Sequence, residues 1–500
     1  MKALLRSEWI KFRTVRGWVV AMTLAAGVIV GLGLLPGQQG SCGRSGPDCV
    51  LPVGPDGERV TDRFTFVNSP LHGDGSITVR VTSLTGLLPP AADGGEPRPG
   101  PVPWAKAGII IKDGTRQGST YAAVMVTGGH GTRMQHDFVH DRAGRPGAAT
   151  PSSPRWLRLT RTGATVTGAE SADGVTWTTV DSVRLPGLPS VMRAGLFVTS
   201  PQYAEATREG FGLSGASGAP TQATATFDGV DARGFDPQWT TDSIGPPPAG
   251  GSAPVPVGGS ALAGGVHTVT GSGDIAPAVA GATGIGATIT QTLVGTFAGL
   301  IIVVVVATLF ATAEYRRGLI RTTLAASPRR GRTLVAKAIV IGSVAFAGGL
   351  VAAAIVVTLG QPVLRANGVY VHPATTATEV RVVVGTAVLL GLAAVLAVAL
   401  GALLRRGAAA VTAAVVAVVL PYLLAVSVLP VEAARWLLRV TPAAAFALQQ
   451  STPEYPQVAN LYTPALGYFP LAPWAGLAVL LAWVALALGC AMVRLRRRDV

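Results

Sequence analysis

The chain has 500 residues, of which 49% are hydrophobic and only 13% are charged, and its formal net charge is +14. In soluble domains about a quarter of all residues are charged, so this composition excludes an ordinary soluble protein and indicates a membrane protein. The basic excess does not indicate a nucleic-acid partner, because the basic residues flank apolar runs and lack interleaved aromatic residues.

The first apolar run lies near residues 17–35 and follows a short basic segment. A signal peptide has the same layout, yet the sequence "GLGLLPGQQGSC" behind the run offers no Ala-x-Ala cleavage site. We therefore expect an uncleaved first transmembrane helix. Residues 36–59 are predicted to form an outer loop, in which Cys42 and Cys49 either close a small disulfide loop or remain free thiols.

Residues 60–232 read as short strands that alternate in polarity or are rich in β-branched residues. Gly, Pro and Asp-Gly pairs separate them. Many strands without intervening helices predict an all-β sandwich of two sheets. The predicted strands are 75–84, 104–114, 120–129, 155–163, 164–174, 175–183, 193–200 and 222–230.

Three histidines fall in the stretch "HGTRMQHDFVHD", and His136 and His140 are weak candidates for metal ligands. On one straight strand they would lie roughly 13 Å apart at 3.3 Å per residue, too far for one ion. The surrounding pattern is β-like, so we expect a solvated strand and loop and no metal site.

The order of the segments "WAKAGIII", "WLRLTRTGATVTGAESADGVTWTTV", "AGLFVTS" and "ATATFDGV" carries a resemblance. It resembles concanavalin-A-like jelly-roll modules related to laminin-G domains, in particular the bacterial regulation-of-enolase type, over residues 60–232. The resemblance implies a jelly-roll sandwich of a kind often attached to surface proteins, and some such modules bind glycans.

Residues 233–288 are rich in Gly, Pro and Ala and are predicted to form a flexible linker back to the membrane. Five more apolar runs follow, each of about 19 or more residues, as a bilayer crossing requires. They lie near 289–312, 338–360, 382–404, 407–429 and 471–493. The fold class expected is therefore a membrane all-α part with six transmembrane helices, 1–35 and 289–500, plus an inserted extracellular all-β jelly-roll sandwich.

Basic residues cluster in four short segments, at 1–16, 314–337, 405–406 and 494–498. Lys and Arg near helix ends are retained on the cytoplasmic side, and six crossings place all four segments there. We expect a multi-pass protein of the cell membrane with both termini in the cytoplasm and residues 36–288 outside.

The stretch "EYRRGLIRTTLAASPRRGRTLVAK" closely resembles the first cytoplasmic loop of permease subunits of type-two ABC exporters. The N-terminal "SEWIK" adds to the resemblance, since these permeases commonly begin with a Ser-Glu-x-x-Lys helix. In that family this loop, here 313–337, receives movement from the ATPase. The resemblance implies a set of coupling residues, namely Glu314, Arg316, Gly318, Arg321, Thr322, Thr323, Leu324 and Pro328.

The chain has no phosphate-binding Gly-x-x-x-x-Gly-Lys-(Ser/Thr) loop, so we expect no enzyme site and no bound cofactor. The resemblance implies a separate ABC ATP-binding subunit that uses ATP and Mg²⁺, and a homodimer or a sister permease. An alternative hypothesis is a membrane-anchored sensor in which the β-sandwich binds a glycan or another extracellular ligand. The two hypotheses differ in whether the cytoplasmic loop or the β-sandwich performs the function.

Overall fold

The computed structural model combines a helical part with a β-rich part. It describes residues 1–35, 50–89, 96, 98–208, 214–236, 238–245, 258–281, 285–316 and 330–497. The helical part is formed by the two ends of the chain, and the β-rich part by the residues between them, as the composition predicts.

The described helices follow the apolar runs of the sequence closely. Five of them are long and apolar enough to cross a membrane, or six if one bent pair counts as a single span. The helices are α1 Lys2–Thr14, α2 Arg16–Leu34, α3 Ile289–Thr292, α4 Gly295–Arg316, α5 Arg330–Ala366, α6 Thr376–Leu404, α7 Gly407–Val418, α8 Leu420–Ser427, α9 Val431–Val440 and α10 Pro473–Arg497.

Helix α6 forms the centre of the helical part and packs against α4, α5, α7 and α10. Its small residues allow close contact: a Cβ added at Gly401 would lie 2.9 Å from Ala311 of α4. Small residues are typical of helix interfaces in apolar surroundings, because they let two backbones approach closely.

The bent pair is α7 and α8, whose axes differ by 42°. Pro421 lies at the start of α8. Proline has no backbone N–H and its ring clashes with the carbonyl four residues earlier, so it interrupts a continuous helix. The strongly amphipathic helix α9 follows, and then a buried 3₁₀ segment, Pro442–Gln449.

All eight predicted strand segments overlap described strands. The strands are β1 Val60–Asp62, β2 Phe64–Leu88, β3 Arg98–Pro99, β4 Lys106–Lys112, β5 Tyr121–Thr127, β6 Thr132–His136, β7 His140–Ala143, β8 Arg155–Thr162, β9 Thr165–Ser171, β10 Thr178–Arg184, β11 Val191–Thr199, β12 Tyr203–Arg208, β13 Ser214–Ala219, β14 Gln222–Phe235, β15 Thr240–Ile244, β16 Gly259–Ala263, β17 Val266–Gly271 and β18 Ile275–Pro277.

Hydrogen bonding joins 14 strands of the β-rich part into one sheet, whereas two separate sheets were expected. The reason is strand β2, which is 25 residues long. Its first part pairs with β11 and β15, and its second part pairs with β8 and β14. Gly73 has a φ of +64°, which marks the point between the two parts and favours glycine.

Residues predicted to be a flexible linker extend this β-rich part. Strand β15 pairs with β2, the hairpin β16–β17 pairs with β14, and β18 pairs with β1. The linker prediction for 233–288 is therefore wrong for these stretches. The prediction rested on composition, since a stretch rich in Gly, Ser and Ala offers few large apolar side chains. The backbone of this stretch nevertheless pairs with neighbouring strands.

Two buried lysines hold the two ends of the β-rich insertion on one strand. Lys106 donates to Asp274 at 2.7 Å, just before β18, and Lys112 donates to Asp62 of β1 at 2.7 Å. Both lysines belong to β4 at an even spacing, so they lie on the same face. The side chains of Lys112 and Asp62 are fully buried, and burial lowers the pKa of Lys112 although Asp62 opposes the shift.

The described basic helix ends lie together at the end of the helical part opposite the β-rich part. Arg405, at the end of α6, stacks on the Tyr315 ring of α4 with 5.6 Å to its centroid. Gly331, at the start of α5, lies beside Met492 of α10. This clustering agrees with the charge pattern of the sequence.

Candidate functional site

The N-terminal helix α1 presents one buried face, formed by Glu8 and Phe12, which are 1% and 4% exposed. Residues four apart lie on the same face of a helix. A carboxylate with so little exposure needs cationic partners, because burying an unpaired charge is costly. Glu8 has two such partners.

Four charged side chains form a closed ring, which we call the charge ring: Glu8, Lys11, Glu314 and Lys337. Lys11 Nζ lies 2.7 Å from Glu8 Oε1 and 2.8 Å from Glu314 Oε1. Lys337 Nζ lies 3.1 Å from Glu8 Oε2 and 2.8 Å from Glu314 Oε1. Each carboxylate therefore contacts both ammonium groups, and the formal charges of the ring cancel.

Most of the charge ring is shielded from solvent. The side chains of Glu8, Lys337 and Glu314 are 2%, 7% and 10% exposed, whereas that of Lys11 is 38% exposed. Buried ion pairs of this kind contribute little net stability, since desolvation offsets their attraction, but loss of one member leaves an uncompensated charge. The ring therefore contributes little net stability. Its main effect is to determine which helices pack together.

Aromatic side chains cover the ring on one side. The Phe310 ring of α4 lies 5.0 Å from Lys337 Nζ, and Phe12 and Trp18 meet Phe310 edge-on at 6.3 and 6.0 Å. An ammonium group near an aromatic face is attracted by the ring quadrupole. These contacts cover Lys337 on that side and add apolar packing between α1, α2 and α4.

The pKa of Lys11 lies above its ordinary value. Burial lowers this pKa, but the hydrogen bonds to Glu314 and Glu8 and the attraction of their charges outweigh burial. Lys11 therefore stays protonated through the neutral range.

The ring joins three elements that are distant in the sequence. Glu8 and Lys11 belong to α1, Glu314 lies in the last turn of α4, and Lys337 lies in the second turn of α5. The chain between α4 and α5 is the loop predicted to couple to an ATPase. The ring therefore joins α1 to the two helix ends that flank this loop.

Of the predicted coupling residues, Glu314 lies in the charge ring, and Arg316 is the last residue of α4. The others lie outside the described residues: Gly318, Arg321, Thr322, Thr323, Leu324 and Pro328. Cys42 and Cys49 also lie outside the described residues, so the disulfide stays a prediction.

Three members of the ring were missing from the residues singled out by sequence. Glu8 and Lys11 were nevertheless visible as the Ser-Glu-x-x-Lys pattern, and Lys337 as the lysine that opens the third apolar run. The sequence patterns did not predict that a charged residue would be buried here. The available signal was that Glu8 lies on the same helix face as the apolar residue Phe12.

His136 and His140 are brought together, contrary to the distance expected from a straight strand. They face each other across the β6–β7 hairpin, with ring centroids 4.3 Å apart. Asp137 and Phe138 make the tight turn with φ angles of +44° and +64°. Among the described residues no group of three or more His, Cys, Asp or Glu side chains is arranged to hold a metal ion.

At the other end of the helices, the β-rich part rests on the segment between α9 and α10. Gln457 donates to the Val139 carbonyl at 2.7 Å, and Tyr468 donates to the Ala280 carbonyl at 3.1 Å. Ala276 and Val279 pack on Val458. The β-rich part is thus docked on the helices by polar and apolar contacts.

A second contact fixes the chain where it returns to the helices. His372, between α5 and α6, is hydrogen-bonded to the Ile285 carbonyl at 2.7 Å. Ala287 and Val371 form a parallel bridge. A Cβ at Gly286 would lie 2.0 Å from the Tyr370 carbonyl oxygen, so only glycine permits this approach.

No family model matches the chain, and no curated protein matches it. One similar solved structure is a functionally unknown protein from Saccharomyces cerevisiae, with 16% identity and a TM-score of 0.18. The match covers 27% of this chain and 63% of that chain. The match spans less than two thirds of that protein. Another is scytalido-glutamic peptidase with a transition state analog inhibitor, with 11% identity and a TM-score of 0.27. That match covers 42% of this chain and 98% of the peptidase chain.

TM-scores this low give no inference about activity. The fold itself shows the kind of architecture: helices that are long and apolar enough to cross a membrane, joined to a large β-rich insertion.

Proposed function

We propose that this chain is the membrane-spanning permease subunit of an ATP-driven ABC exporter. The observation that carries the proposal is the charge ring, which ties α1 to the two helices that flank the loop 317–329. The resemblance of that loop and of the Ser-Glu-x-x-Lys helix to type-two permeases supports it. Six spans, with α7 and α8 counted as one, fit the same architecture.

In this proposal, a separate ATP-binding subunit contacts the loop on the cytoplasmic side and uses ATP and Mg²⁺. Movement of the loop passes to α4 and α5, and the charge ring makes α1 move with them. The energy of ATP hydrolysis is thereby delivered to the span α2 as well, since α1 ends at Thr14 and α2 begins at Arg16.

The jelly-roll module serves in this proposal as an extracellular accessory domain, seated on the outer segment between α9 and α10. A sensor role for this module is the second candidate function. It is favoured by the docking contacts of Gln457 and Tyr468, which give a bound ligand a direct route to the helices.

The test is purification of the tagged protein from its native membrane in mild detergent, with identification of the bound chains and assay of ATP hydrolysis. We expect an ATP-binding subunit with the wild type and its loss with Arg321→Glu. Arg439→Glu, a charge reversal on the exposed face of α9, serves as the matched control and retains the subunit. Absence of any ATP-binding subunit from the wild type in several detergents contradicts the proposal and favours the sensor.

A further inference from the structure

A cavity of about 260 Å³ lies between α8, α9 and the segment that precedes α10. Most of its lining is apolar, from residues such as Val426, Leu429, Ala434 and Pro464. Binding sites for small molecules combine an apolar lining with a few polar groups that set orientation. The cavity is at the small end of such sites, which suits part of one acyl chain.

The charged groups of the lining are Arg435 of α9 and Glu454, and they form an ion pair with Nη2 and Oε2 3.0 Å apart. Their side chains are 32% and 29% exposed, so both charges are accessible from the cavity mouth. A guanidinium group carries five N–H donors, and the bond to Glu454 uses one of them. A carboxylate likewise accepts several hydrogen bonds.

Helix α9 has the character of a helix that lies at a membrane surface. It is strongly amphipathic, and Trp436, Val440 and Val431 are 64%, 43% and 42% exposed. Such helices place their apolar face at the boundary between headgroups and acyl chains. The mouth of the cavity is therefore at the depth where phospholipid headgroups lie.

We propose that this cavity binds a phospholipid with a zwitterionic headgroup, with the phosphate at Arg435, the ammonium group at Glu454 and an acyl chain along the apolar lining. Adjacent opposite charges complement a zwitterion. A headgroup with only a negative charge is attracted by Arg435 but repelled by Glu454, which gives selectivity. The proposal concerns this chain alone and does not depend on the ATP-binding subunit.

The experiment uses the purified full-length chain in an uncharged detergent and nitroxide-labelled lysophosphatidylethanolamine as the probe, with labelled lysophosphatidylglycerol for comparison. We expect the zwitterionic probe to bind about tenfold more tightly than the anionic one, the size of one charge-assisted contact. Equal affinity of the two probes for the wild type overturns the proposal.

Two variants locate the site. Arg435→Gln combined with Glu454→Gln keeps a polar pair and is expected to lose the preference between the probes. Val426→Trp fills the cavity, leaves the ion pair intact and is expected to weaken binding of both probes about tenfold. Arg365→Gln removes an exposed cation of α5 outside the cavity and keeps wild-type binding. A preference that survives the double substitution, or full affinity of Val426→Trp, overturns the proposal.

Discussion

Lys11 Nζ donates a hydrogen bond of 2.8 Å to Glu314 Oε1 across 303 residues of sequence. The first helix of the chain is thereby tied to the last turn of α4, beside the loop predicted to meet an ATPase. The pair belongs to a ring in which each carboxylate contacts two ammonium groups, so the ring is sensitive to the loss of any one member.

Replacing Lys337 with Met is expected to destabilise the helical part by about 3–5 kcal/mol, because Glu8 and Glu314 are left with one shared cation in a buried place. Lys337 is 7% exposed at its side chain, so solvent does not replace the lost partner. Thermal unfolding of the purified protein measures the effect. Lys2→Met, an exposed residue of α1, is the control and leaves the unfolding temperature unchanged.

The fully buried pair Lys112–Asp62 leads to a second prediction. Lys112→Met alone leaves the Asp62 carboxylate buried without its cation, and we expect a loss of about 3–5 kcal/mol in the unfolding free energy of the β-rich part. Lys112→Met with Asp62→Leu removes both charges and is expected to cost much less. If the double variant is as unstable as the single one, the cost arises from lost packing and not from the unpaired charge.

The contact of His372 with Ile285 predicts a dependence of stability on pH. Burial lowers the pKa of His372 from 6.5, although the bond to the Ile285 carbonyl opposes the shift. Between the lowered pKa and 6.5, the unfolded chain binds a proton that the folded chain excludes, so stability falls as the pH falls through this window. Unfolding temperatures measured from pH 7.5 to pH 5 give the slope. His372→Gln is expected to reduce it, and an identical slope in the variant would assign the effect to other groups.

Gly286 is expected to tolerate no side chain. Its φ of +76° and the Tyr370 carbonyl at 2.0 Å from an added Cβ together predict that Gly286→Ala costs about 1–3 kcal/mol. Gly264, in the β16–β17 turn, has a φ of +57° and open space around it, so Gly264→Ala reports the backbone strain without the clash. Rates of limited proteolysis compare the two variants, and equal rates would mean that the close approach at Tyr370 is unimportant.

The sequence alone predicted the apolar helices and eight of the 18 described strands, since both depend on local periodicity. The break between α7 and α8 is another local feature, because it lies at a single proline, Pro421. The pairing of strands that are distant in the sequence could not be predicted in the same way. The strands within 233–288 form by pairing with β1, β2 and β14, and their own composition resembles a linker.

The candidate site was predicted only in part, because its residues also come from distant segments. Glu314 was identified from a local pattern, but its partners Lys11 and Lys337 come from other helices, and only the packing of these helices brings them to one point. His136 and His140 show the opposite error: a distance computed along a straight strand is wrong when Asp137 and Phe138 reverse the chain.

In the proposed function, the loop 313–337 faces an ATP-binding subunit in the cytoplasm. Its most direct test uses single cysteines at Arg321 and at Ser182 of β10, in chains whose native cysteines are replaced by serine. In intact cells we expect a membrane-impermeant maleimide to label position 182 but not position 321, and a bifunctional reagent in permeabilised cells to link position 321 to an ATP-binding chain. Labelling of position 321 from outside, or no such crosslink, would contradict the proposed function.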